Sequence, residues 1–206
     1  MRQLALLMIA LVVPATARAD KGELYTLVGV QLLLPRYDDA LSGTARATPT
    51  TGGLDAVAYY GLTNWIHVGM AVHVSRTRDM AFENAKVTLS DGSPSTGAVY
   101  LNDLAIGGGA LALLRLDTGY RLAPVLSLEV GVNHHSYTEI DHVPSGAGYR
   151  IAFPDVSEFA LSARAEFLLE YRFTDRLIAA AGISTVAEQG HMPWQLGVPL
   201  RFGVIW

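Results

Sequence analysis

Three features of the 206-residue sequence predict its fold class: long stretches that alternate apolar and polar residues, connections that are short on one side and long on the other, and an apolar segment at the N-terminus. Together they indicate an all-β protein, an eight-stranded antiparallel up-and-down transmembrane β-barrel preceded by a cleaved signal peptide. Half of the residues are hydrophobic and only 17% are charged, which is apolar for a soluble protein. The sequence contains no cysteine, so disulfide bonds cannot stabilise the fold.

The N-terminal segment has the composition of a secretory signal. Arg2 precedes an apolar run at residues 4–13, and small residues follow at 15–19. Ten apolar residues are too few to cross a bilayer core of about 30 Å as a helix, which makes a membrane anchor the weaker alternative. We expect residues 1–19 to be removed as a signal peptide and residues 20–206 to form the barrel.

The alternation is clearest over residues 158–173 and 194–206, where aromatic and aliphatic residues share one face and charged or small residues share the other. Phe159 and Phe167, for example, face away from Arg164. Each candidate strand has about ten or more residues, which exceeds the usual five or six of soluble sheets and matches the 9–11 that cross a bilayer when tilted. Weaker alternation predicts the remaining six strands at residues 23–34, 53–62, 65–75, 101–115, 124–136 and 176–187.

Three short connections share one sequence pattern. YGLTNWI at residues 60–66, YRLAPVL at 120–126 and YRFTDRL at 171–177 separate candidate strands two and three, four and five, and six and seven. Thr-Asn and Thr-Asp supply short polar side chains that bond their own backbone in tight turns. Short turns on one side and long loops on the other are typical of outer-membrane barrels. The long loops, rich in Gly, Pro, Ser, Thr and Asp, are predicted at residues 35–52, 76–100 and 137–157.

The face opposite the apolar one carries most charges of the candidate strands, and in a barrel it points into the lumen. Because an eight-stranded barrel is just wide enough inside for side chains to fill, these charges predict a plug of salt bridges. The alternative is a gate in a narrow channel for small or apolar solutes. The predicted lumen charge network consists of Glu23, Asp55, Asp103, Arg115, Glu129, Arg164, Glu166, Glu170, Arg172 and Arg201.

Other ligands are not indicated. The sequence has 15 basic and 19 acidic residues and no basic run that could neutralise a row of phosphates. His67 and His73 share a face, but six residues on a strand that rises about 3.3 Å per residue place them too far apart to bind one metal ion. We therefore expect no nucleic-acid partner, no cofactor and no metal site.

The C-terminal strand carries a further pattern. Leu200-x-Phe202-x-Val204-x-Trp206 resembles the signal by which the assembly machinery of the outer membrane recognises its substrates. With the N-terminal segment and the turns, it makes the chain look like the small eight-stranded OmpA/OmpX-like outer-membrane β-barrel superfamily of Gram-negative bacteria. The resemblance implies a location in the cell outer membrane. It also implies outer-membrane lipids, lipopolysaccharide and the assembly machinery as partners.

We expect a non-enzymatic protein with a structural or surface-interaction role. Scaffolds of this type carry variable function on their extracellular loops, and the sequence does not identify the extracellular ligand. The candidate interaction residues are the aromatic residues of the predicted loops, Tyr37, Phe82, Tyr100, Tyr149 and Phe153.

One stretch suggests chemistry. His134 and Ser136, in VNHHSYTEID, resemble the H-x-S arrangement of outer-membrane lipid A 3-O-deacylases. That resemblance would make Ser136 the nucleophile and His134 the base, with Glu139 or Glu158 as the orienting acid. The alternative is that these polar residues mark the end of the apolar band, where side chains meet head groups. The family has Asn after its Ser, where this chain has Tyr137, and we expect no enzymatic activity.

Overall fold

The structure, a computed structural model, describes residues 21–36, 44–45, 51–116, 118, 120–189 and 194–206. The predicted signal peptide at residues 1–19 lies outside these ranges, so its removal stays a prediction. Among the described residues, no helix is long and apolar enough to cross a membrane.

The alternating segments form eight long β-strands, and two strands of two residues each accompany them in the described part of the chain. In chain order the strands are β1 (Leu24–Arg36), β2 (Thr44–Ala45), β3 (Thr51–Gly61), β4 (Ile66–Thr88), β5 (Pro94–Arg115), β6 (Leu122–Pro144), β7 (Ile151–Ala152), β8 (Val156–Arg172), β9 (Leu177–Glu188) and β10 (Trp194–Ile205).

The eight long strands pair in one antiparallel ring, in the order β1, β3, β4, β5, β6, β8, β9 and β10. The ring closes where β10 pairs with β1, with Ile205 opposite Tyr25. Long strands that follow each other in the chain are neighbours throughout, which is the up-and-down topology. The predicted eight-stranded barrel is confirmed.

The three predicted short turns are also present. In the first turn, the Thr63 hydroxyl accepts the N–H of Ile66 at 2.9 Å, and in the third, the Thr174 hydroxyl accepts that of Leu177 at 3.0 Å. The second turn is closed by Leu116, whose N–H donates to the carbonyl of Pro124 at 2.9 Å. The two threonines therefore do what their sequence position predicts, because their side-chain oxygens replace a backbone partner.

The prediction of long loops at residues 76–100 and 137–157 was wrong for most of their length. Strand β4 continues to Thr88, β5 begins at Pro94, and β6 continues to Pro144. The β4–β5 register shifts near Asp79 and again near Asn84, and both residues have positive φ angles, 53° and 56°. Each bulge inserts one extra residue and so shifts the alternation of inward and outward side chains. The sequence of these strands therefore lacks a regular period of two. Most of the third predicted loop, residues 35–52, lies outside the described residues.

Above the level where β3 and β8 end, these strands form an extension, comprising residues 77–102 and 138–152. β2 pairs with the edge of β4 and β7 pairs with the edge of β6, which widens the extension to five strands. Met80, Phe82 and Ala85 are buried in the extension, and the partly buried Val99 and Leu101 pack against them. The extension therefore has its own small apolar core.

Neighbouring strands of the barrel wall approach closely at inward-facing Gly69. A Cβ atom built on Gly69 would overlap the carbonyl oxygen of Ala58 on the neighbouring strand. Any side chain would push β3 and β4 apart at this point, so the close approach requires glycine.

Candidate functional site

The exterior of the barrel is apolar. Val28, Met70 and Phe159 are exposed by 66%, 70% and 77%, and aliphatic side chains cover the outward positions of all eight long strands. A soluble protein rarely exposes a continuous apolar surface of this extent. In the part of these strands that the apolar surface surrounds, charged side chains such as Asp55, Glu166 and Arg201 are buried on the inward face. The exterior is therefore a lipid-facing belt.

Aromatic residues mark the lower boundary of this belt, on the side of the short turns. Tyr60, Trp65, Tyr120, Phe173 and Trp206 all expose their rings there. Amphipathic rings prefer the membrane–water boundary. This row identifies the turn side as one membrane surface, and the extension lies beyond the opposite surface.

The lumen near the short turns contains a compact polar network. Arg172 Nη2 lies 2.7 Å from Glu23 Oε2 and donates to the Tyr25 hydroxyl at 2.6 Å. Arg115 donates to the same hydroxyl at 3.1 Å, and its Nε lies 3.0 Å from Glu170 Oε2. Each arginine is thus held by a carboxylate and by Tyr25, which offsets the cost of burying the charges.

Stacked rings complete this lower network. Tyr59 stacks on Tyr25 with centroids 4.7 Å apart, and its hydroxyl donates to Glu170 at 2.5 Å. The ring of His67 meets both tyrosines edge-on, at 5.5 and 5.6 Å. The rings fill the lumen between the ion pairs.

An apolar layer lies directly above the lower network. It was not predicted from the sequence, because the inward face was there assigned to charged and small residues. The signal was present as aliphatic residues at inward positions of the candidate strands. The layer consists of buried Leu27, Val57, Leu111, Leu113, Val125 and Leu168.

Arg201 organises the middle of the lumen. Its guanidinium donates two hydrogen bonds of 2.7 Å to the carboxylate of Glu166, and Nε donates to Asp55 at 2.7 Å. The Ser127 hydroxyl donates to Glu166 at 3.0 Å. Bidentate pairing of this kind is the strongest form of arginine–carboxylate contact.

Arg164 is held less closely. Its nearest carboxylate oxygens belong to Glu129, at 3.8 Å, and Glu166, at 3.9 Å. These distances allow attraction between charges but exceed those of a hydrogen bond. Among the described arginines of the network, Arg164 therefore has the weakest contacts with carboxylates.

The upper lumen joins Asp103, which was predicted as a lumen charge, to His135, Asn133 and Glu188, which were not. The two ring nitrogens of His135 lie 3.0 Å from Asp103 and 3.3 Å from Glu188. The Asn133 amide donates to Glu188 and accepts from His73 Nε2 at 2.7 Å. His135 was not selected from the sequence, and only the strand register shows that Asp103 and Glu188 flank it.

All ten residues of the predicted lumen charge network lie on the inward face, at three levels. Glu23, Glu170, Arg115 and Arg172 form the lower network. Asp55, Glu166, Arg201, Glu129 and Arg164 form the middle level, and Asp103 contacts His135 in the upper one.

The two residues of the deacylase-like pattern are not joined. His134 packs its ring against Phe159 at 4.7 Å on the lipid-facing side, and within the described residues no hydrogen bond joins it to Ser136. Glu158 accepts the Tyr137 hydroxyl at 2.8 Å, and Glu139 accepts the amide of Asn102 at 2.8 Å. Both candidate orienting acids thus have other partners, and the geometry assembles no triad. Nor does the described part of the chain contain a group of three or more His, Asp or Glu side chains that could hold a metal ion.

The candidate interaction residues of the extension fall into two groups. Phe82 is buried in the core of the extension, so its prediction as a surface residue was wrong. Phe153 is partly buried against His142, with ring centroids 6.5 Å apart. Tyr149 is 63% exposed, and Tyr100 is exposed as well. Tyr37 lies outside the described residues.

Tyr100 belongs to a small ordered cluster on the outer face of the extension. The guanidinium of Arg150 lies over its ring at 5.8 Å and is held by Asp141 at 2.8 Å.

At the β4–β5 turn, the Ser93 hydroxyl and backbone N–H donate to Asp91 and lower the pKa of that carboxyl. The extension thus presents an ordered surface.

The class of protein follows from fold and exterior together: a closed antiparallel ring with a lipid-facing belt and a filled lumen is an integral outer-membrane β-barrel. No protein-family model matches the chain. No curated protein matches it either.

Solved structures give the particular fold. The chain is similar to Ail, the attachment invasion locus protein of Yersinia pestis, with a TM-score of 0.56 and 12% identity over 90% of this chain and 99% of that one. It is also similar to Neisserial surface protein A, with a TM-score of 0.53 and 15% identity over 90% and 98%. A second structure of Ail, in complex with the heparin analogue sucrose octasulfate, gives a TM-score of 0.55 and 13% identity, and covers 90% of this chain and 99% of that one. The predicted fold of the small eight-stranded outer-membrane barrels is thereby confirmed, and with the apolar belt it places the chain in the cell outer membrane.

Proposed function

We propose that this chain is a non-enzymatic outer-membrane barrel, closed to solutes along its lumen, that presents the extension as a surface for interaction outside the cell. The closed lumen is supported by side chains that fill it at three levels. Polar networks lie at the bottom, middle and top, and the apolar layer separates the lower network from the middle one. Ions would have to break paired charges and cross an apolar constriction.

Conductance tests the closed lumen. The purified barrel, refolded and inserted into a planar bilayer, is expected to give no unitary current steps in potassium chloride. A chain inserted with the same yield that gives steady open-channel steps would replace this function with the narrow channel. Insertion is checked in the same preparation by the different gel migration of the unheated and boiled protein.

The interaction role rests on the extension. Barrel scaffolds carry variable function on the segments that extend beyond the membrane. In this chain those segments are paired strands with a buried core. Attachment is what the name of the Yersinia pestis protein states, and it is a role that this extension would serve. Replacing residues 78–101 by a tight turn is expected to abolish cell-surface attachment while the barrel still folds.

The charge of the extension argues against sulfated polyanions as its ligand. In residues 77–102 and 138–152 there are five acidic side chains and three basic ones. A polyanion would meet net repulsion on this surface. The structural likeness to a protein solved with sucrose octasulfate therefore does not extend to that ligand.

Outer-membrane lipids and lipopolysaccharide would surround the belt, and the assembly machinery would recognise the outward row Leu200, Phe202, Val204 and Trp206. Support for the lipid contact comes from the exposure of Leu200, Phe202 and Trp206 toward the bilayer. We assign no catalytic role to Ser136 or His134. Unchanged acylation of lipid A in cells that express the native chain or Ser136→Ala is the expected result.

A further inference from the structure

The backbone ladder between β9 and β10 is interrupted in the middle of the wall. Pairing stops after Gly197, opposite Ser184, and resumes at Leu200. Val198 and Pro199 lie between these points, and within these two described strands neither has a partner on β9. The residues on both sides of the gap keep the same register, so the strands do not separate; only individual bonds are missing.

Proline accounts for the gap. The constant register places Gly182 opposite Pro199, and residues in a hydrogen-bonded antiparallel pair each donate to the other. Pro199 has no N–H, so it accepts from Gly182 but cannot return the bond. The carbonyl oxygen of Gly182 therefore lacks its ladder donor. The Pro199 side chain is buried toward the lumen, which leaves the lipid side of the gap uncovered by the ring.

The gap lies deep in the bilayer. Pro199 is seven residues from Trp206, which marks the aromatic boundary. With a rise of about 3.3 Å per residue and a tilt of about 45°, this corresponds to about 16 Å along the membrane normal, close to half of a core of about 30 Å. Phospholipid head groups stay at the surface, so their polar atoms do not reach this depth. The hydrocarbon on the lipid side of the wall supplies no water as a donor either.

An apolar furrow on the lipid-facing side adjoins the gap. It has a volume of about 810 Å³, and Val198 and Ile183, which would pair if the ladder were complete, both line it. It crosses from Leu32 on β1 to Leu128 on β6 over small residues such as Ala165. Four strand spacings make it about 19 Å long, enough for an extended alkyl chain.

We infer that this furrow binds a straight-chain alkyl alcohol dissolved in the bilayer, whose hydroxyl donates to the carbonyl oxygen of Gly182. The carbonyl can only accept, so the ligand must carry a donor. The donor must be neutral, because the charged side chains of these strands face the lumen and are engaged in the networks there. In hydrocarbon neither the hydroxyl nor the carbonyl has another partner, so each satisfies the other.

Photolabelling tests the site in the folded chain in phosphatidylcholine bilayers. The probes are dodecanol, its methyl ether and dodecane, each with an aliphatic diazirine in the chain, and labelled peptides are located by mass spectrometry. Dodecanol is expected to label the segments around Ile183 and Val198 about fivefold more than the ether or the alkane, the ratio that one ordinary hydrogen bond supplies.

Three variants separate the hydrogen bond from the furrow. Pro199→Ala returns an N–H to the ladder, and the preference for dodecanol should disappear while labelling by the alkane stays. Pro124→Ala, a matched loss of proline on β6, should keep the preference. Ala165→Leu fills the furrow and should reduce labelling by all three probes. Equal labelling by dodecanol and its ether in the native chain, or a preference that survives Pro199→Ala, would overturn the inference.

Discussion

Trp206 donates its indole N–H to the hydroxyl oxygen of Thr26 at 3.0 Å, which joins residue 206 to the first strand of the barrel. The backbone makes the same connection, because the Trp206 N–H donates to the carbonyl of Leu24 at 2.9 Å. These contacts lie at the seam where β10 meets β1 and the ring closes. Trp206, which is predicted to be recognised by the assembly machinery, thus also takes part in closing the folded barrel.

Thr26→Val removes the acceptor of this side-chain bond and keeps the shape of the residue. We expect the free energy of unfolding in urea to fall by about 1 kcal/mol, the usual contribution of one hydrogen bond. Thr185→Val, on the lipid-facing side of β9, is the matched control and should change it by less. Equal effects of the two substitutions would show that the seam bond contributes nothing.

Arg201→Met leaves Asp55 and Glu166 buried without their cation. Because an uncompensated buried charge is costly, we expect a loss of about 3–5 kcal/mol in the free energy of unfolding. Arg150→Met, which breaks the exposed pair with Asp141, should cost no more than about 1 kcal/mol. The prediction fails if both variants unfold at the same urea concentration.

Gly69→Ala tests the close approach of β3 and β4. The new Cβ would meet the backbone of Ala58 and Tyr59, so we expect the fraction of folded barrel on an unheated gel to fall sharply. Gly52→Ala is the control, because a Cβ at that position has no atom within 4 Å. Normal folding of both variants would mean that the strands can relax around the added methyl group.

Asn102→Ala tests the order of the extension. The Asn102 side chain accepts the backbone N–H of Asp79 at 2.9 Å and donates to Glu139 at 2.8 Å, which ties the bulges of β4 and β6 together. We expect amide hydrogen exchange in the extension to become about tenfold faster, equivalent to about 1.4 kcal/mol, with the barrel unchanged. Asn64→Ala, in an exposed turn, should leave exchange in the extension as it is. Faster exchange throughout the barrel would instead indicate global destabilisation.

Local sequence patterns predicted much of the fold. Alternation is a property of neighbouring residues, so it assigned Arg164, Glu166 and Arg201 to the inward face without knowledge of the tertiary structure. The Thr63 and Thr174 turns were predictable for the same reason. The strands of the extension were not, since the bulges near Asp79 and Asn84 move the alternation from one face to the other.

The sequence by itself determined which side chains of the membrane-spanning strands face lipid and which face the lumen, and where the three short turns lie. Only the tertiary structure decided which inward residues share a level, because that depends on how far each strand is shifted against the next around the closed ring. Arg201 thus meets Asp55 and Glu166 from strands far apart in the chain, and His135 meets Asp103 and Glu188. The unpaired carbonyl of Gly182 has the same origin, since Pro199 predicts a missing donor but only the register identifies the residue that loses it.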